Sequence, residues 1–177
     1  FQNLKDLSSV ARFQIHNYFP PPKVPFVLNL ASLDCSVAQN SVAHVKKAIQ
    51  WSRDLGLSVY SVHAGFLLDP KVDELGKRVR PRSLFDRSEA LLRFVDRVNT
   101  LDDYAQRFGV KILIENNVLS AKNFQSFKSN PFLMVGADEC NYVMNQTSEN
   151  VGLLVDVAHL KVSASSLGFD PVSFLCE

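Results

Sequence analysis

Cysteine is scarce in this sequence and follows no pattern. Cys35, Cys140 and Cys176 are odd in number, far apart and outside any C-x-x-C, which argues against a disulfide framework and against a cysteine zinc site. Long apolar runs are also missing: none approaches the roughly 20 residues that a membrane helix needs. The first residues do not show the basic, apolar and small-residue succession of a signal peptide. Charge of one sign is not in excess either. The 19 Lys and Arg against 18 Asp and Glu leave +1, so the whole chain offers no basic field for nucleic acid or an anionic membrane. Nor is there a Gly-rich phosphate loop, a G-x-S-x-G elbow, an H-E-x-x-H or a dinucleotide fingerprint, which leaves hydride and phosphoryl transfer without support. Asn145-Gln146-Thr147 matches a glycosylation acceptor, but such triplets are common by chance. The expectation is a cytoplasmic protein.

What is present is an ordinary globular composition, 46% apolar and 21% charged over 177 residues, enough for one domain with a sizeable core. Short runs rich in Val, Ile and Leu alternate with longer helix-periodic ones. The short runs are "RFQIH" ending at His16, "LSVYSVHAGF" around His63, "VKILIEN" around Glu115 and "GLLVDVAH" around Asp156. Near-continuous apolarity is expected of strands covered on both faces, and the alternation predicts βα units with a parallel sheet.

Between them, "SVAHVKKAIQWSRDLG" sets Val42, Val45, Ala48, Ile49, Ser52 and Leu55 on one helical stripe closed by Gly56. "DRSEALLRFVDRVNTLDDYAQRFG" does the same with Leu91, Phe94, Val95, Val98, Leu101, Ala105 and Phe108, closed by Gly109. A shorter helix is expected over Asp138 to Thr147. The strand ends recur at about 40 to 50 residues, against roughly 30 per unit in a (β/α)₈ barrel. The surplus lies in "NYFPPPKVP", "LLDPKVDELGKRVRPRSLF" and "NNVLSAKNFQSFKSNPF", whose proline and polar content reads as stiff or exposed loop rather than core. Asp170-Pro171 begins a helix in good form, yet six residues remain after it and the chain opens on Phe1. The expectation is a segment of a longer chain.

In parallel α/β folds, ligands sit beyond the carboxyl ends of the strands. His16, His63, Glu115 with Asn116 and Asn117, and Asp156 with His159 all fall there. Glu115 shares a strand face with Lys111 and Leu113, while Ile112 and Ile114 face the other way. Burying its carboxylate unpaired is costly, and a metal or a cationic partner removes that cost. A salt bridge or helix cap would also account for a lone strand-end Glu; Asp156 in the matching place one unit later favours a shared cation. Asp156 and His159 reach one ligand only if the strand ends near Val157 and the chain turns. Ala64 and Gly65 after His63 allow close approach of a ligand or loop. His16 and His63 each have a structural alternative as hydrogen-bonded histidines. His44 lies among surface-type residues and receives no role. Lys77, Arg78, Arg80, Arg82 and Arg87 could hold a substrate phosphate or carboxylate, or form a solvated loop.

"SVHAGF", "ILIENN" and "LLVDVAHLKVSA", in this order and at these intervals, resemble the xylose-isomerase-like TIM barrel superfamily, which includes sugar-phosphate isomerases and epimerases and endonuclease IV-like abasic-site nucleases. The resemblance implies a partial (β/α)8 TIM barrel, approximately units two to five, with parallel strands alternating with helices. Residues 1–177 would form a single barrel domain, incomplete at both ends. Glu115 resembles the family's strand-four metal-binding glutamate, which is also an acid/base in the epimerases, and Asp156 the strand-five metal-binding aspartate. His159 resembles the histidine that contacts substrate, or a further metal in the nucleases. His63 resembles the strand-three histidine that contacts substrate or, in the nucleases, zinc. The role of His16 carries over more loosely. The family completes its metal site with a histidine from strand six and a glutamate from strand eight, and neither strand falls within these residues.

The resulting expectation is a metal-dependent isomerase or epimerase of a sugar or sugar-like substrate, phosphorylated or not. A divalent metal, Mn²⁺, Mg²⁺ or Zn²⁺, would be held by Glu115 and Asp156. Glu115 and His159 would be catalytic, with His16, His63, Asn116 and His159 contacting substrate. Nucleic acid and membrane are disfavoured as partners, and a homo-oligomer remains open. The competing expectations are an abasic-site nuclease and a non-catalytic metabolite-binding barrel.

Overall fold

The computed structural model describes Leu4, Asp6, Ala11 and residues 13–176. Phe1, Arg12, Glu177 and most of the first ten residues, on which the readings of the chain ends and part of the first strand rest, lie outside the described residues. The strands are β1 (Ile15–His16), β2 (Val59–His63), β3 (Lys111–Glu115) and β4 (Val151–Leu154). They form one parallel sheet in the order β1-β2-β3-β4. The helices are α1 (Cys35–Asp54), α2 (Arg87–Gln106), α3 (Ala121–Phe127), α4 (Ala137–Asn145), α5 (Val157–Leu167) and α6 (Pro171–Cys176). The expected α/β alternation is what the chain adopts.

Strand periodicity decides which side is core. Tyr60, Val62, Ile112 and Ile114 are buried, in one cluster with Val45, Ala48 and Ile49 of α1 and Phe94, Val98 and Leu101 of α2. Each such side chain contributes roughly 1.5–3 kcal/mol by leaving water, so the helix stripes and the alternate strand positions fix each other. The opposite face carries Ser61, His63, Lys111, Leu113, Glu115 and Gly152. There Lys111 is exposed and Leu113 and Gly152 are half-buried.

Several elements differ from the sequence expectation. Helix α1 begins at Cys35 rather than near Ser41, because the Asp34 carboxylate caps it, accepting from the N–H groups of Ser36 and Val37 at 2.8 and 3.1 Å. Strand β4 ends at Leu154, before Val157, and α5 follows at once with Asp156 as its cap. The surplus loops are not all exterior. Leu68, Val79, Leu119, Phe132 and Val135 are buried in a second cluster of their own, against Phe66, Phe124 and Phe127. Helix α3, seven residues capped by Ser120, lies inside one of these loops.

Asn29 fastens this loop layer to the sheet. Its side chain donates to the carbonyls of Phe66 and Leu68 and to Asp69, and accepts from the N–H groups of Ala31 and Phe66. Gly65 lets the two segments meet. A Cβ there would lie 2.4 Å from Ala31 Cβ and 3.1 Å from the Ala31 nitrogen. Gly65→Ala is therefore expected to destabilise the fold by about 1–3 kcal/mol, read as a lower urea midpoint; an unchanged midpoint would show that the segments part at no cost.

Candidate metal and active site

The sheet register brings the polar strand ends together. His63 pairs with Glu115, Glu115 with Leu154, and His16 with Ser61. In-register neighbours in a parallel sheet point the same way, so His63 and Glu115 stand side by side. His16, opposite Ser61, leans toward them from the next strand. Asp156 is two residues beyond Leu154 and returns to the same face.

Glu115 is the centre. It is only 5% exposed. Its Oε2 lies 3.2 Å from His16 Nε2 and 3.8 Å from His63 Nδ1, and its Oε1 lies 3.3 Å from His159 Nδ1. His16 Nε2 and His63 Nε2 are 3.3 Å apart. Asp156 Oδ1 accepts from the His159 N–H at 2.9 Å as the α5 cap, while Oδ2 remains 3.8 Å from His159 Nε2. Two groups result: His16, His63 and Glu115, and Glu115, Asp156 and His159, each with ligand atoms within 4.8 Å of one another. Among the described residues no Lys or Arg pairs with Glu115 or Asp156.

Supporting groups orient these side chains. Gln14 Nε2 donates to Ser61 Oγ at 3.2 Å, which leaves the Ser61 hydroxyl free to donate to His16 Nδ1, 2.9 Å away. That bond directs a protonated His16 Nε2 at Glu115. His159 Nδ1 lies 2.9 Å from the Asn116 carbonyl. A carbonyl can only accept, so the Nδ1–H donates there. Sequence reasoning missed Ser61 and Gln14; the signal was present, since Ser61 is two residues before His63 and so on the same face.

Asn116 has a setting other than the substrate contact expected of it. It is fully buried, its Oδ1 accepts from the Asp156 N–H at 2.7 Å and its Nδ2 donates to the Asp156 carbonyl at 3.3 Å. It therefore clamps the end of β3 to the turn before α5. Asn117 donates to the carbonyls of Ala64, Gly65 and Leu133, fixing the turn after His63. His44 also departs from expectation: it is buried, with Nε2 3.2 Å from the Asn17 carbonyl and its ring against Tyr18 and Phe26.

Burial pushes the Glu115 carboxyl above the usual glutamate range. His159 opposes this rise, while the Asp156 charge and a hydrogen bond between the two carboxyls add to it. Asp156 is held below its usual range, chiefly by the His159 N–H. Two carboxyls thus diverge, and Glu115 is the one disposed to carry a proton. Burial brings His63 down to about 4, helped by the His16 and His159 charges against that of Asp156. His16 is lowered by burial and then by His159, with Asp156 opposing. The donor set of carboxylate oxygens and imidazole nitrogens fits a divalent ion of the Mn²⁺ or Zn²⁺ kind. A cavity of about 850 Å³ opens beside His63 and His159, within the range of small-molecule sites.

A family model described as xylose isomerase-like TIM barrel matches residues 3–170. The chain belongs to this family. No curated protein matches the sequence. Among solved structures, a D-tagatose 3-epimerase-like protein superposes with TM-score 0.67 at 20% identity, covering 98% of this chain and 54% of that one. A Thermus thermophilus protein soaked with zinc chloride gives 0.57 at 18%, with 89% and 52% covered. D-psicose 3-epimerase from Clostridium cellulolyticum, with D-tagatose, gives 0.56 at 20%, with 80% and 43% covered. At these identities the shared property is the fold. This xylose isomerase-like chain spans about half the length of the structures it matches.

The buried His63 makes stability depend on pH. Its folded value, about 4, lies below the ordinary 6.5, so the unfolded chain binds the proton first. Stability contributed above pH 6.5 is lost as pH falls toward 4. In the metal-free protein, His63→Gln is expected to show a smaller loss over that window in denaturant unfolding at stepped pH. An identical loss in the variant would refute burial of this ring as the source.

Proposed function

We propose that this chain is part of a metal-dependent isomerase or epimerase acting on a sugar or sugar-like substrate. The observation that carries the reading is the convergence of Glu115 and Asp156, from successive βα units, on one point flanked by histidines, with no Lys or Arg among the described residues to neutralise them. Glu115 and Asp156 would hold the ion. When bound, it would polarise a substrate carbonyl and hydroxyl and so acidify the adjacent carbon. Glu115, its carboxyl raised by burial, takes up the proton from that carbon and returns it, while His159 and His63 orient substrate oxygens. Asn116 serves by positioning Asp156. Residues 1–177 belong, on this reading, to a single barrel domain whose remaining ligands and opposing acid/base come from outside this stretch.

The test is elemental analysis of the purified protein beside Glu115→Gln and Asp156→Asn, with circular dichroism as the control for folding. Each variant is expected to lose at least about tenfold in metal affinity, and Glu115→Gln to stop deuterium entering a ketose substrate from heavy water. Unchanged metal content in both variants would defeat the assignment.

One observation favours a second reading. His16, His63 and Glu115 form a nitrogen-rich trio beside the first group, which suits a second, zinc-type ion and the chemistry of an abasic-site nuclease. That reading expects two zinc ions per chain and salt-dependent binding of abasic duplex DNA. One ion per chain and no DNA binding across a salt series would eliminate it.

A further inference from the structure

Two roles are open to His16 beside Glu115: metal ligand or hydrogen-bond donor. Its Nε2 lies 3.2 Å from Glu115 Oε2 and 3.3 Å from His63 Nε2. Three atoms at such separations suit a tetrahedral ion, and they suit a shared hydrogen equally well. The distances on this side of the ring do not decide between the two.

The other side of the ring does. An imidazole nitrogen ligates only through its lone pair, so His16 reaches an ion through Nε2 only when its hydrogen sits on Nδ1. Nδ1 is 2.9 Å from the hydroxyl of Ser61, a buried residue. That hydroxyl already accepts from Gln14 Nε2 at 3.2 Å, and among the described residues these are its two partners. Its one hydrogen therefore goes to His16 Nδ1. Were His16 to donate to Ser61 instead, the buried hydroxyl would keep a hydrogen with no acceptor, which costs about as much as a lost hydrogen bond. The bonds run in one direction, from Gln14 to Ser61 to Nδ1. Register holds the three residues in place: His16 pairs with Ser61, and the Asn17 N–H donates to the Ser61 carbonyl at 2.7 Å.

From this chain of bonds we infer that His16 is a positioning residue and not a metal ligand. Gln14 and Ser61 keep its hydrogen on Nε2, where it fixes Oε2 of Glu115 and denies a second ion the place between His16 and His63. The site then takes a single divalent ion, on the side of Asp156 and His159 that Oε1 faces. The inference rests on the proposed function for that ion. It goes beyond that reading in giving Gln14, Ser61 and His16 their parts and in setting the ion count against the two-zinc alternative.

Gln14 is exposed, so Gln14→Glu leaves the core untouched while reversing the bonds. A carboxylate of the same shape accepts and cannot donate. The Ser61 hydrogen turns toward it, the hydroxyl oxygen accepts from His16 Nδ1, and Nε2 is freed to ligate. The experiment reads the His16 tautomer by nitrogen-15 NMR of the metal-free full chain, above the ordinary histidine pKa, with His16→Gln assigning the signal. Calorimetry and elemental analysis count zinc in the same proteins. The unsubstituted chain should carry the hydrogen on Nε2 and bind one zinc. Gln14→Glu should move the hydrogen to Nδ1 and bind a second zinc at least about tenfold more tightly than the unsubstituted chain does. Gln14→Glu/His16→Gln should lose that gain, which separates ligation by His16 from the added charge. A hydrogen on Nδ1 in the unsubstituted chain overturns the inference, as do two zinc ions bound there, or a first zinc with no gain of a second in Gln14→Glu. The tautomer is read without metal, so the two readings fail separately. If no protein binds zinc while the hydrogen moves as expected, the metal reading falls and the positioning of His16 stands. If one zinc binds and the hydrogen is on Nδ1 throughout, the metal reading stands and this inference falls.

Discussion

A carboxylate buried at the end of a central strand, with no lysine or arginine paired to it among the described residues, is the constraint around which this molecule is arranged. An isolated charge in that position would cost several kcal/mol. Glu115 meets the cost with three imidazoles around it, and burial raises its carboxyl pKa. His16 and His63, whose pKa values burial lowers, solve the problem only partly, because a neutral ring donates one hydrogen bond and supplies no charge. A cation in the space the five side chains enclose would complete the balance, and the donor chemistry fits one.

The precision of that enclosure comes from the two amides that follow Glu115. Asn116 holds the backbone on both sides of Asp156, and Asn117 holds the turn after His63 and the carbonyl of Leu133. Neighbouring turns are thus referred to the end of one strand by hydrogen bonds buried from water, where each is hard to exchange for solvent. Asn29, Gly65 and Arg97, which donates to the carbonyls of Leu30 and Ser32, extend the same arrangement to the turn after β1. A metal site needs its ligands held to a fraction of an ångström, and backbone-clamping amides provide this without contributing charge.

The parts of the fold legible in the sequence are those whose signal is periodic. Ile112 and Ile114 against Glu115, or Val45, Ala48, Ile49 and Ser52 along α1, are set by a repeat that burial must follow, so strand faces and long helices could be read directly. Helix α3 was not legible, because seven residues lie below the length at which propensity alone says much and its capping serine sits in a polar loop. The burial of Leu68, Val79 and Phe132 was hidden for a related reason: these residues pack on each other across loops distant in sequence, with no local repeat. His44 looked superficial because its helix neighbours Lys46 and Lys47 are solvated, whereas its partner, Asn17, comes from another loop. At the site, the sequence marked which residue types stand at strand ends. It could not tell a side chain that faces the cavity from one, like Asn116, that turns back on the chain.

The carboxyl pair at the strand ends and the cations Lys77 and Arg78, which line the cavity beside His63 and His159, do not collapse onto each other, which itself needs a cause. Opposite charges free to move would pair across the space, since even a surface pair gains up to about 1 kcal/mol. They are kept apart by being fixed to different supports. Glu115 and Asp156 belong to the sheet and to the cap of α5, while Lys77 and Arg78 ride on a loop that Asn123 and Ser126 fasten to α3. The acids of that loop are occupied as well, Glu74 by Arg82, Asp73 by Arg80 and Asp69 by Asn29 and Ser32. The two charge groups therefore stay apart because each is anchored to a different element.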